Sequence, residues 1–423
     1  MDKKMVPEVR FKGFTDDWEQ HKLGEFYDFK NGLNKEKAFF GSGVPIVNFV
    51  DVFHNRILMP DMLMGRVTLT EKEIKNHEVK QGDIFFTRTS ETINEIGYPS
   101  VMLGVPDCTV FSGFVLRGRA IGDDPLNNLF KSYIFFTEHF RKEMIKKSSM
   151  TTRALTSGTA LKEMNIKFPA LENEQISIGT LFKHLDVIIA LQQQQLDLYT
   201  KLKKGLLQKL FPKDGEKVPE IRFTDFHDDW KQQYLSNLTT MHARIGWQNL
   251  RTSEFLNEGK YVLITGTDFK DGNIDYSNIH FVSKERFDQD KKIQVQNGSI
   301  LITKDGTLGK VAYVQGLSAP ATLNAGVFNV IIRKNINVNS KYLFHYLSAP
   351  FLLKFASTHS TGGTIKHLNQ NVLTKFPIPI SSLNEQNKIS DLLTLLNNSI
   401  TLQQRNLDKL KLLKQFLLEK LFI

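Results

Sequence analysis

Residues 173–211 read NEQISIGTLFKHLDVIIALQQQQLDLYTKLKKGLLQKLF, and residues 384–422 read NEQNKISDLLTLLNNSITLQQRNLDKLKLLKQFLLEKLF. Neither copy contains proline. In both copies apolar residues recur at steps of three and four, about 3.5 residues on average, which is typical of a coiled-coil seam. The seam positions are Ile178, Leu181, Leu185, Ile189, Leu196, Tyr199, Leu202, Leu206 and Leu210, then Ile389, Leu392, Leu396, Ile400, Leu407, Leu410, Leu413, Leu417 and Leu421.

Each copy predicts one long helix. A helix of about 38 residues would extend on the order of 57 Å. A helix of that length with a single apolar stripe needs a partner, and its own repeat is available in the same chain. We therefore expect the two helices to pair in antiparallel orientation. The alternative is that each helix packs separately on its own domain.

A shorter segment is also duplicated. Residues 6–20 read VPEVRFKGFTDDWEQ, and residues 218–232 read VPEIRFTDFHDDWKQ. The long stretches between the copied segments have largely diverged. We call the copied segments the frame and the diverged stretches between them the inserts. A duplicated frame around two different inserts indicates two different binding surfaces held at a fixed separation, rather than one catalytic centre.

The inserts have the pattern of mixed β-rich domains with a few short helices. VKQGDIFFTRTSE, from Val79, and VQNGSILITKDGT, from Val295, each show a turn at glycine, a run of strand-forming residues and a polar loop. The predicted fold class is therefore α+β, with two β-rich domains joined by two long antiparallel coiled-coil helices in a pseudo-two-fold repeat. The predicted divisions are 1–172 and 218–383 for the two domains, 173–217 for the central helix and turn, and 384–423 for the C-terminal helix.

The composition indicates a well-cored protein that attracts polyanions. Hydrophobic residues make up 41% of the 423 positions, and 55 Lys and Arg outnumber 45 Asp and Glu, giving a net charge of +10. Such a charge favours nucleic acid as a partner, although many basic proteins bind nothing acidic. The one cysteine, Cys108, excludes an intramolecular disulfide and is expected to be a small core residue in a reducing cytosol. No stretch suits a membrane span, so we expect a cytoplasmic protein without a membrane partner.

Catalytic motifs are mostly missing from the sequence. There is no GxxxxGK[ST] phosphate loop, no Pro-Pro pair of the kind found in DNA methyltransferase motifs, and no HEXXH. The one enzymatic alternative is a metal-dependent nuclease, because Asp61, Glu73 and Lys75 match the degenerate PD…ExK pattern. Thr70 to Glu73 also fits a capping box that starts a short helix, and no metal site is predicted.

Several modest motifs, occurring in the same order twice, resemble those of the DNA specificity subunit of type I restriction-modification enzymes. They are VPEIRFTDFHDDW at the start of a half, GDIFFTR and GSILITK inside the inserts, LNEQ at the start of a long helix and KKGLLQKLF at its end. The resemblance covers almost the whole chain. It implies that the inserts are target recognition domains, each reading one half of a split site on double-stranded DNA.

The same resemblance implies that the paired helices form a spacer and dock two methyltransferase subunits. It implies a subunit without its own catalytic centre or cofactor, with S-adenosylmethionine, ATP and magnesium on partner subunits. A restriction and translocation subunit on another chain is a further partner that the resemblance allows. A coiled-coil assembly protein without a DNA role is the third possibility.

The polar loops that follow the strand runs supply the predicted DNA contacts. Positive side chains there would neutralise phosphates, and loop side chains would read base edges. Arg244 and Trp247 are a further candidate pair for base contact, although Trp247 also suits a core, and we expect Trp18 and Trp230 to be structural. The predicted contacts are Arg88, Thr89 and Ser90 in the first domain and Lys304, Asp305, Thr307 and Lys310 in the second, with Arg153, Lys366 and His367 as second choices.

Overall fold

In the computed structural model the described residues are 5–245, 250–305, 309–359 and 369–423. The chain divides into two compact units. The first comprises Met1–Gln193 and Arg405–Ile423, and the second comprises Gln194–Gln404. Both divisions fall inside the long helices, so each unit contains one part of each helix. Among the described residues no helix is long and apolar enough to cross a membrane.

The first unit is built on a five-stranded sheet with the strand order β2-β10-β6-β8-β4. Two small three-stranded sheets, β5-β3-β9 and β11-β12-β7, and the pair β1-β13 accompany it. The strands are β1 Glu19–Lys22, β2 Tyr27–Asn31, β3 Phe40–Val47, β4 Ile57–Leu58, β5 Arg66–Val67, β6 Ile84–Thr87, β7 Thr89–Ser90, β8 Pro99–Met102, β9 Val110–Phe111, β10 Val115–Ala120, β11 Ser149–Met150, β12 Ala154–Leu155 and β13 Asn165–Phe168. The helices are α1 Leu23–Phe26, α2 Phe49–Val52, α3 Glu71–Asn76, α4 Asn128–Ile134, α5 Glu138–Lys147, α6 Gly158–Lys162 and the start of α7 Glu172–Lys209.

The second unit has two four-stranded sheets, with the orders β15-β24-β21-β22 and β19-β16-β23-β20. The pairs β17-β18 and β14-β25 complete it. The strands are β14 Lys231–Tyr234, β15 Thr239–Ala243, β16 Tyr261–Ile264, β17 Phe269–Lys270, β18 Asn273–Ile274, β19 His280–Val282, β20 Gln294–Val295, β21 Ile300–Thr303, β22 Val311–Tyr313, β23 Ala321–Leu323, β24 Val327–Ile332 and β25 Pro377–Ile380. The helices are α8 Leu235–Leu238, α9 Lys284–Asp288, α10 Ser340–Ser348, α11 Pro350–His359, α12 Gln370–Leu373 and the start of α13 Leu383–Lys420.

The predicted α+β class, the internal repeat and the two long helices are confirmed. In the first unit the ring of Phe182 on α7 lies 5.8 Å from that of Phe422, just beyond the end of α13, and Asp186 forms an ion pair with Lys414. Since residue numbers rise along α7 as they fall along α13, the two segments run antiparallel. In the second unit Leu207 of α7 and Leu210, just beyond the end of α7, belong to the same hydrophobic core as Ile389 and Leu393 of α13.

An arginine–glutamate clamp, present once in each unit, explains why the short and the long duplicated segments are copied together. In the first unit Arg10 donates to both carboxylate oxygens of Glu174, at 2.7 and 2.8 Å. In the second unit Arg222 binds Glu385 in the same way, at 2.8 and 3.0 Å. Both glutamate side chains are 1% exposed. Each clamp fixes the segment that opens a half to the start of a long helix.

The glutamine beside each clamp glutamate holds the start of a short helix. Gln175 Oε1 accepts from the backbone N–H of Asn127, the N-cap residue of α4, at 2.7 Å. Gln386 Oε1 accepts from the backbone N–H of Asn339, the N-cap residue of α10, at 3.0 Å. A buried backbone donor that loses its acceptor is costly, so the repeated Asn-Glu-Gln sequence has a structural role in both units.

The predicted apolar seam is wrong at one repeated position. Leu202 and its copy Leu413 are 51% and 45% exposed. The neighbouring lysines, Lys203 and Lys414, are the partly buried residues instead, and burial lowers the pKa of both. The seam rule assumed a period of about 3.5 residues, whereas a helix that packs on a domain follows its own 3.6-residue turn.

Four leucines are exposed at equivalent positions of the two long helices. Leu191 and Leu402 are both 58% exposed, and Leu202 and Leu413 form the second matched pair. We call Leu191, Leu202, Leu402 and Leu413 the duplicated leucines. Leu191 and Leu413 lie in the first unit, whereas Leu202 and Leu402 lie in the second. Each unit therefore presents one duplicated leucine from each helix to solvent.

Cys108 is exposed, so its predicted place in a core is wrong. It lies in a turn with a positive φ of 42°. Cys108 is exposed because it lies in the short loop before β9, and its apolar character does not determine its location.

Candidate nucleic-acid interface

Arg88 and Thr89 follow strand β6 directly, and three hydrogen bonds at Thr87 and Arg88 hold this part of the chain. The buried hydroxyl of Thr87 accepts from the N–H of Tyr98 at 2.8 Å. The Arg88 N–H donates to the carbonyl of Phe114 at 3.0 Å, and the Arg88 carbonyl accepts from the N–H of Thr156 at 3.1 Å. The loop is therefore held by the strands around it. Within the part of the chain that the structure describes, the Arg88 guanidinium has no ion-pair partner.

The structure brings Arg153 to the same place. Strand β7 pairs with β12, so Ser90 lies opposite Ala154 and Thr89 opposite Leu155. Arg153 stands in the turn between β11 and β12, exposed, with its guanidinium 2.9 Å from Glu91. We call residues 88–91 and 151–153 the first loop cluster. Residues predicted from two separate stretches of sequence thus form one surface.

Among the predicted contacts that the structure describes, Ser90 has the least access to a ligand. It is 7% exposed, and its hydroxyl accepts from the N–H of Thr92 at 3.2 Å. A hydroxyl placed in this way shapes the loop behind the exposed side chains of the cluster.

The second unit repeats this frame with different side chains. The Thr303 hydroxyl accepts from the N–H of Lys310 at 2.9 Å, which corresponds to the contact between Thr87 and Tyr98. The Lys304 N–H donates to the carbonyl of Gly326 at 2.9 Å, as Arg88 does to Phe114. We call residues 304–305 and 309–310 the second loop cluster.

The side chains of the second loop cluster are partly or fully open to solvent. Lys310 is exposed, whereas Lys304 and Asp305 are half-buried. The Lys304 ammonium lies 5.8 Å from the centre of the Phe328 ring, a contact that orients a cation without neutralising it. The predicted contacts Thr307, Lys366 and His367 lie outside the described residues.

Arg244 is a core residue, so its predicted role in base contact is wrong. It is 1% exposed. Its guanidinium donates to the carbonyl of Leu323 at 2.9 Å and to the hydroxyl of Thr322 at 3.2 Å. A buried cation needs such acceptors, and they hold Arg244 inside the second unit. Trp247 lies outside the described residues.

Trp18 and Trp230 are both buried, which confirms the structural role predicted for them. The Trp18 indole N–H reaches the clamp carboxylate of Glu174 at 3.4 Å. Each tryptophan belongs to the hydrophobic core of its own unit.

Glu73 of the predicted nuclease triplet has a local structural role. Its carboxylate accepts from the N–H of Thr70, as a capping box at the start of α3 requires, and it lies 2.6 Å from the Lys35 ammonium. The hydrogen bond from Lys35, followed by those from Thr70, lowers the Glu73 pKa to about 2. Asp61 and Lys75 are exposed. Among the described residues no three His, Cys, Asp or Glu side chains are grouped so that they could hold a metal ion.

One polar contact between a domain and a long helix is charged in the first unit and uncharged in the second. In the first unit the Tyr133 hydroxyl donates to Asp186 at 2.9 Å. The equivalent residue in the second unit, His345, lies 3.2 Å from the Thr394 hydroxyl. Burial, and then the nearby Lys203, lowers the His345 pKa to about 3, so the imidazole is neutral at physiological pH. Sequence reasoning missed these residues, because each unit fills the position with a different polar group.

The fold and the two loop clusters define a class of internally duplicated protein. Its two α+β units share the same backbone arrangement and present loops with different side chains. Comparison with known proteins supports a narrower class. A family model described as the type I restriction modification DNA specificity domain matches residues 15–199 and again 228–412. The chain belongs to the type I restriction-modification DNA specificity family.

Individual relatives agree with this family. The chain is 21% identical over 410 residues to the type I restriction enzyme MjaVIII specificity subunit of Methanocaldococcus jannaschii, covering 95% of this chain and 91% of the relative. It is 23% identical over 258 residues to the type I restriction enzyme EcoBI specificity subunit of Escherichia coli, covering 57% and 53%. A type I restriction-modification S subunit from M. genitalium, solved by crystallography, has a similar fold, with a TM-score of 0.62, 17% identity and 99% of both chains covered.

Proposed function

We propose that this chain is the sequence-reading subunit of a type I restriction-modification complex, and that each unit reads one half of an asymmetric, bipartite DNA site. The observation that carries this proposal is the repeated frame of the two loop clusters. The same backbone hydrogen bond presents Arg88 beside Phe114 in one unit and Lys304 beside Gly326 in the other. Two readers with one frame and different side chains recognise different half-sites.

The charges of the clusters suit DNA. Arg88, Arg153, Lys304 and Lys310 supply cations that can neutralise phosphates, and the chain carries a net charge of +10. Phosphate contacts give affinity and base-edge contacts give sequence preference. Arginine binds guanine O6 and N7 through two hydrogen bonds, and the Arg88 guanidinium, which has no ion-pair partner among the described residues, is available for such a contact. To bind DNA, the Arg153 guanidinium would have to break its ion pair with Glu91.

The long helices would set the spacing between the half-sites. Successive major grooves on one face of B-DNA recur about every 34 Å. A helix rises about 1.5 Å per residue, so the 38 residues of α7 and of α13 are long enough to span that distance. Helices hold a distance more rigidly than a flexible linker does.

The duplicated leucines would dock two methyltransferase subunits. Exposed apolar side chains at matched positions are typical of an interface with a partner, and a duplicated set favours two copies of the same partner. Catalysis in this account belongs to the partners: S-adenosylmethionine, ATP and magnesium would bind there, and a restriction and translocation subunit could join the same complex. The nuclease centred on Asp61, Glu73 and Lys75 has no support from the geometry.

Replacing Arg88 or Lys304 with alanine is expected to weaken sequence-specific binding at one half-site each. Losing a base contact costs about 1–3 kcal/mol, and losing a phosphate contact reduces the slope of log affinity against log salt by about 1. The measurement is fluorescence anisotropy of the chain assembled with its methyltransferase subunit. One DNA duplex has its first half-site mutated and another has its second half-site mutated. Affinity for each duplex is measured at several salt concentrations.

Lys72→Ala and Lys284→Ala are the matched controls, because each removes one exposed cation outside the loop clusters. The proposal predicts that the controls change affinity little and that Arg88→Ala and Lys304→Ala affect different half-sites. Unchanged DNA binding by both loop variants would instead favour an assembly protein with no DNA role.

A further inference from the structure

Phe114 is an exposed aromatic residue at the edge of the first loop cluster. It occupies the turn between β9 and β10, and its side chain is 64% exposed. Aromatic side chains that large contribute most when they are buried against another surface. The position therefore has the character of a contact that a partner completes.

The turn that carries Phe114 is held from both sides. The Ser112 N–H donates to the carbonyl of Val47 at 2.9 Å, and the Gly113 N–H donates to the carbonyl of Leu33 at 2.8 Å. A Cβ atom on Gly113 would lie 2.1 Å from Oδ1 of Asn34, so a larger residue there would displace the Asn34 side chain. The ring is thus presented from a fixed backbone, which reduces the entropy lost on binding.

Arg88 lies next to this ring along the backbone. Its N–H donates to the Phe114 carbonyl at 3.0 Å, so an exposed aromatic residue and an arginine without an ion-pair partner among the described residues are backbone neighbours at one edge of the cluster. In the major groove of DNA, arginine recognises guanine, and an apolar side chain such as phenylalanine contacts the 5-methyl group of thymine. The pair matches these two recognition chemistries together.

We propose that Phe114 is a specificity-determining residue that contacts the 5-methyl group of a thymine in the half-site read by the first unit. This inference rests on the proposed function and names the base chemistry of one of its two readers. The second unit has Gly326 at the corresponding position, beside Lys304, and so has no equivalent ring. The thymine contact belongs to one half-site, which adds to the asymmetry of the target.

The test uses the chain assembled with its methyltransferase subunit and duplexes that carry its mapped methylated sequence. Thymines of the site are replaced one at a time by uracil, which removes the 5-methyl group and keeps base pairing. Phe114→Ala is expected to weaken binding by about 5- to 150-fold, the range that corresponds to the loss of one base-pair contact. At one thymine, uracil should weaken binding of the wild-type complex and leave that of Phe114→Ala unchanged.

Ile121→Ala is the matched control, because Ile121 is 65% exposed directly after strand β10, whereas Phe114 directly precedes that strand. Phe114→Leu, which keeps an apolar contact, should restore part of the affinity. Equal binding by Phe114→Ala and wild type would overturn the inference, as would equal uracil effects in both, or a loss of methyltransferase assembly in Phe114→Ala. Failure of the proposed function is a separate outcome, since the wild-type complex would then not distinguish the mapped site from unrelated DNA.

Discussion

Replacing Leu191 and Leu413 with aspartate is expected to reduce the number of bound methyltransferase subunits from two to one. Both side chains lie in the first unit and are exposed, at 58% and 45%. Leu413 is adjacent to Lys414, and Leu191 lies just beyond Asp186 on the other helix; Asp186 and Lys414 form an ion pair. A central apolar contact in a protein interface contributes about 2–4 kcal/mol, and aspartate would also place a charge in the contact.

The matched change in the second unit is Leu202→Asp with Leu402→Asp. It is expected to remove the other methyltransferase subunit, and the four changes together should remove both. Native mass spectrometry of the mixed subunits gives the stoichiometry directly. The fold of the free chain should be unaffected, because the four side chains are exposed.

Leu412→Asp is the control for the docking surface. Leu412 is 66% exposed next to Leu413, but the other copy has Lys201 at the equivalent position. If exposure alone determined docking, this variant would act like Leu413→Asp. A full complement of two methyltransferase subunits on the Leu191→Asp, Leu413→Asp variant would show that the duplicated leucines do not form the interface.

Removing one partner of a clamp is expected to destabilise the unit that contains it. In Arg10→Met the carboxylate of Glu174, 1% exposed, loses both hydrogen bonds from the guanidinium. Leaving a buried charge without its partner costs about 3–5 kcal/mol. Hydrogen exchange should show the loss of protection in the first unit, and Arg222→Met should show it in the second.

Two comparisons make the clamp experiment specific. Arg10→Met with Glu174→Met removes both charges and should recover most of the lost stability, since an apolar pair of similar volume is often neutral. Lys22→Met breaks an exposed pair with Glu163 and should have little effect. Equal, small effects of Arg10→Met and Lys22→Met would contradict the structural role of the clamp.

The sequence was sufficient to predict the long helices and the repeated domains, because the repeat showed which apolar positions recur. It did not reveal the clamps, although Arg10 and Glu174 are both copied. The two residues are 164 positions apart, and nothing in their spacing says that they meet. Copied polar residues in otherwise diverged halves are the signal that could have found them.

Predictions from local sequence patterns are wrong where an apolar residue is exposed or a charged residue is buried. The apolar periodicity predicts that Leu202 lies in the seam, yet Lys203 is the more buried of the two. The sequence offers Arg244, with Trp247, as a candidate pair for base contact, yet carbonyl and hydroxyl acceptors hold Arg244 in a core. In both cases the outcome depends on neighbours from distant parts of the chain. The convergence of Arg88 and Arg153 depends on strand pairing and was not predictable for the same reason.

The most direct test of the two-reader account is the methylated sequence itself. The measurement is the base-resolution map of methylation in DNA exposed to this chain and its methyltransferase subunit, repeated after residues 218–383 are exchanged for those of a relative. The account predicts two different half-sites separated by unread bases, of which the exchange alters one and keeps the other and the spacing. A continuous or symmetric motif, or an exchange that alters both halves, would contradict it.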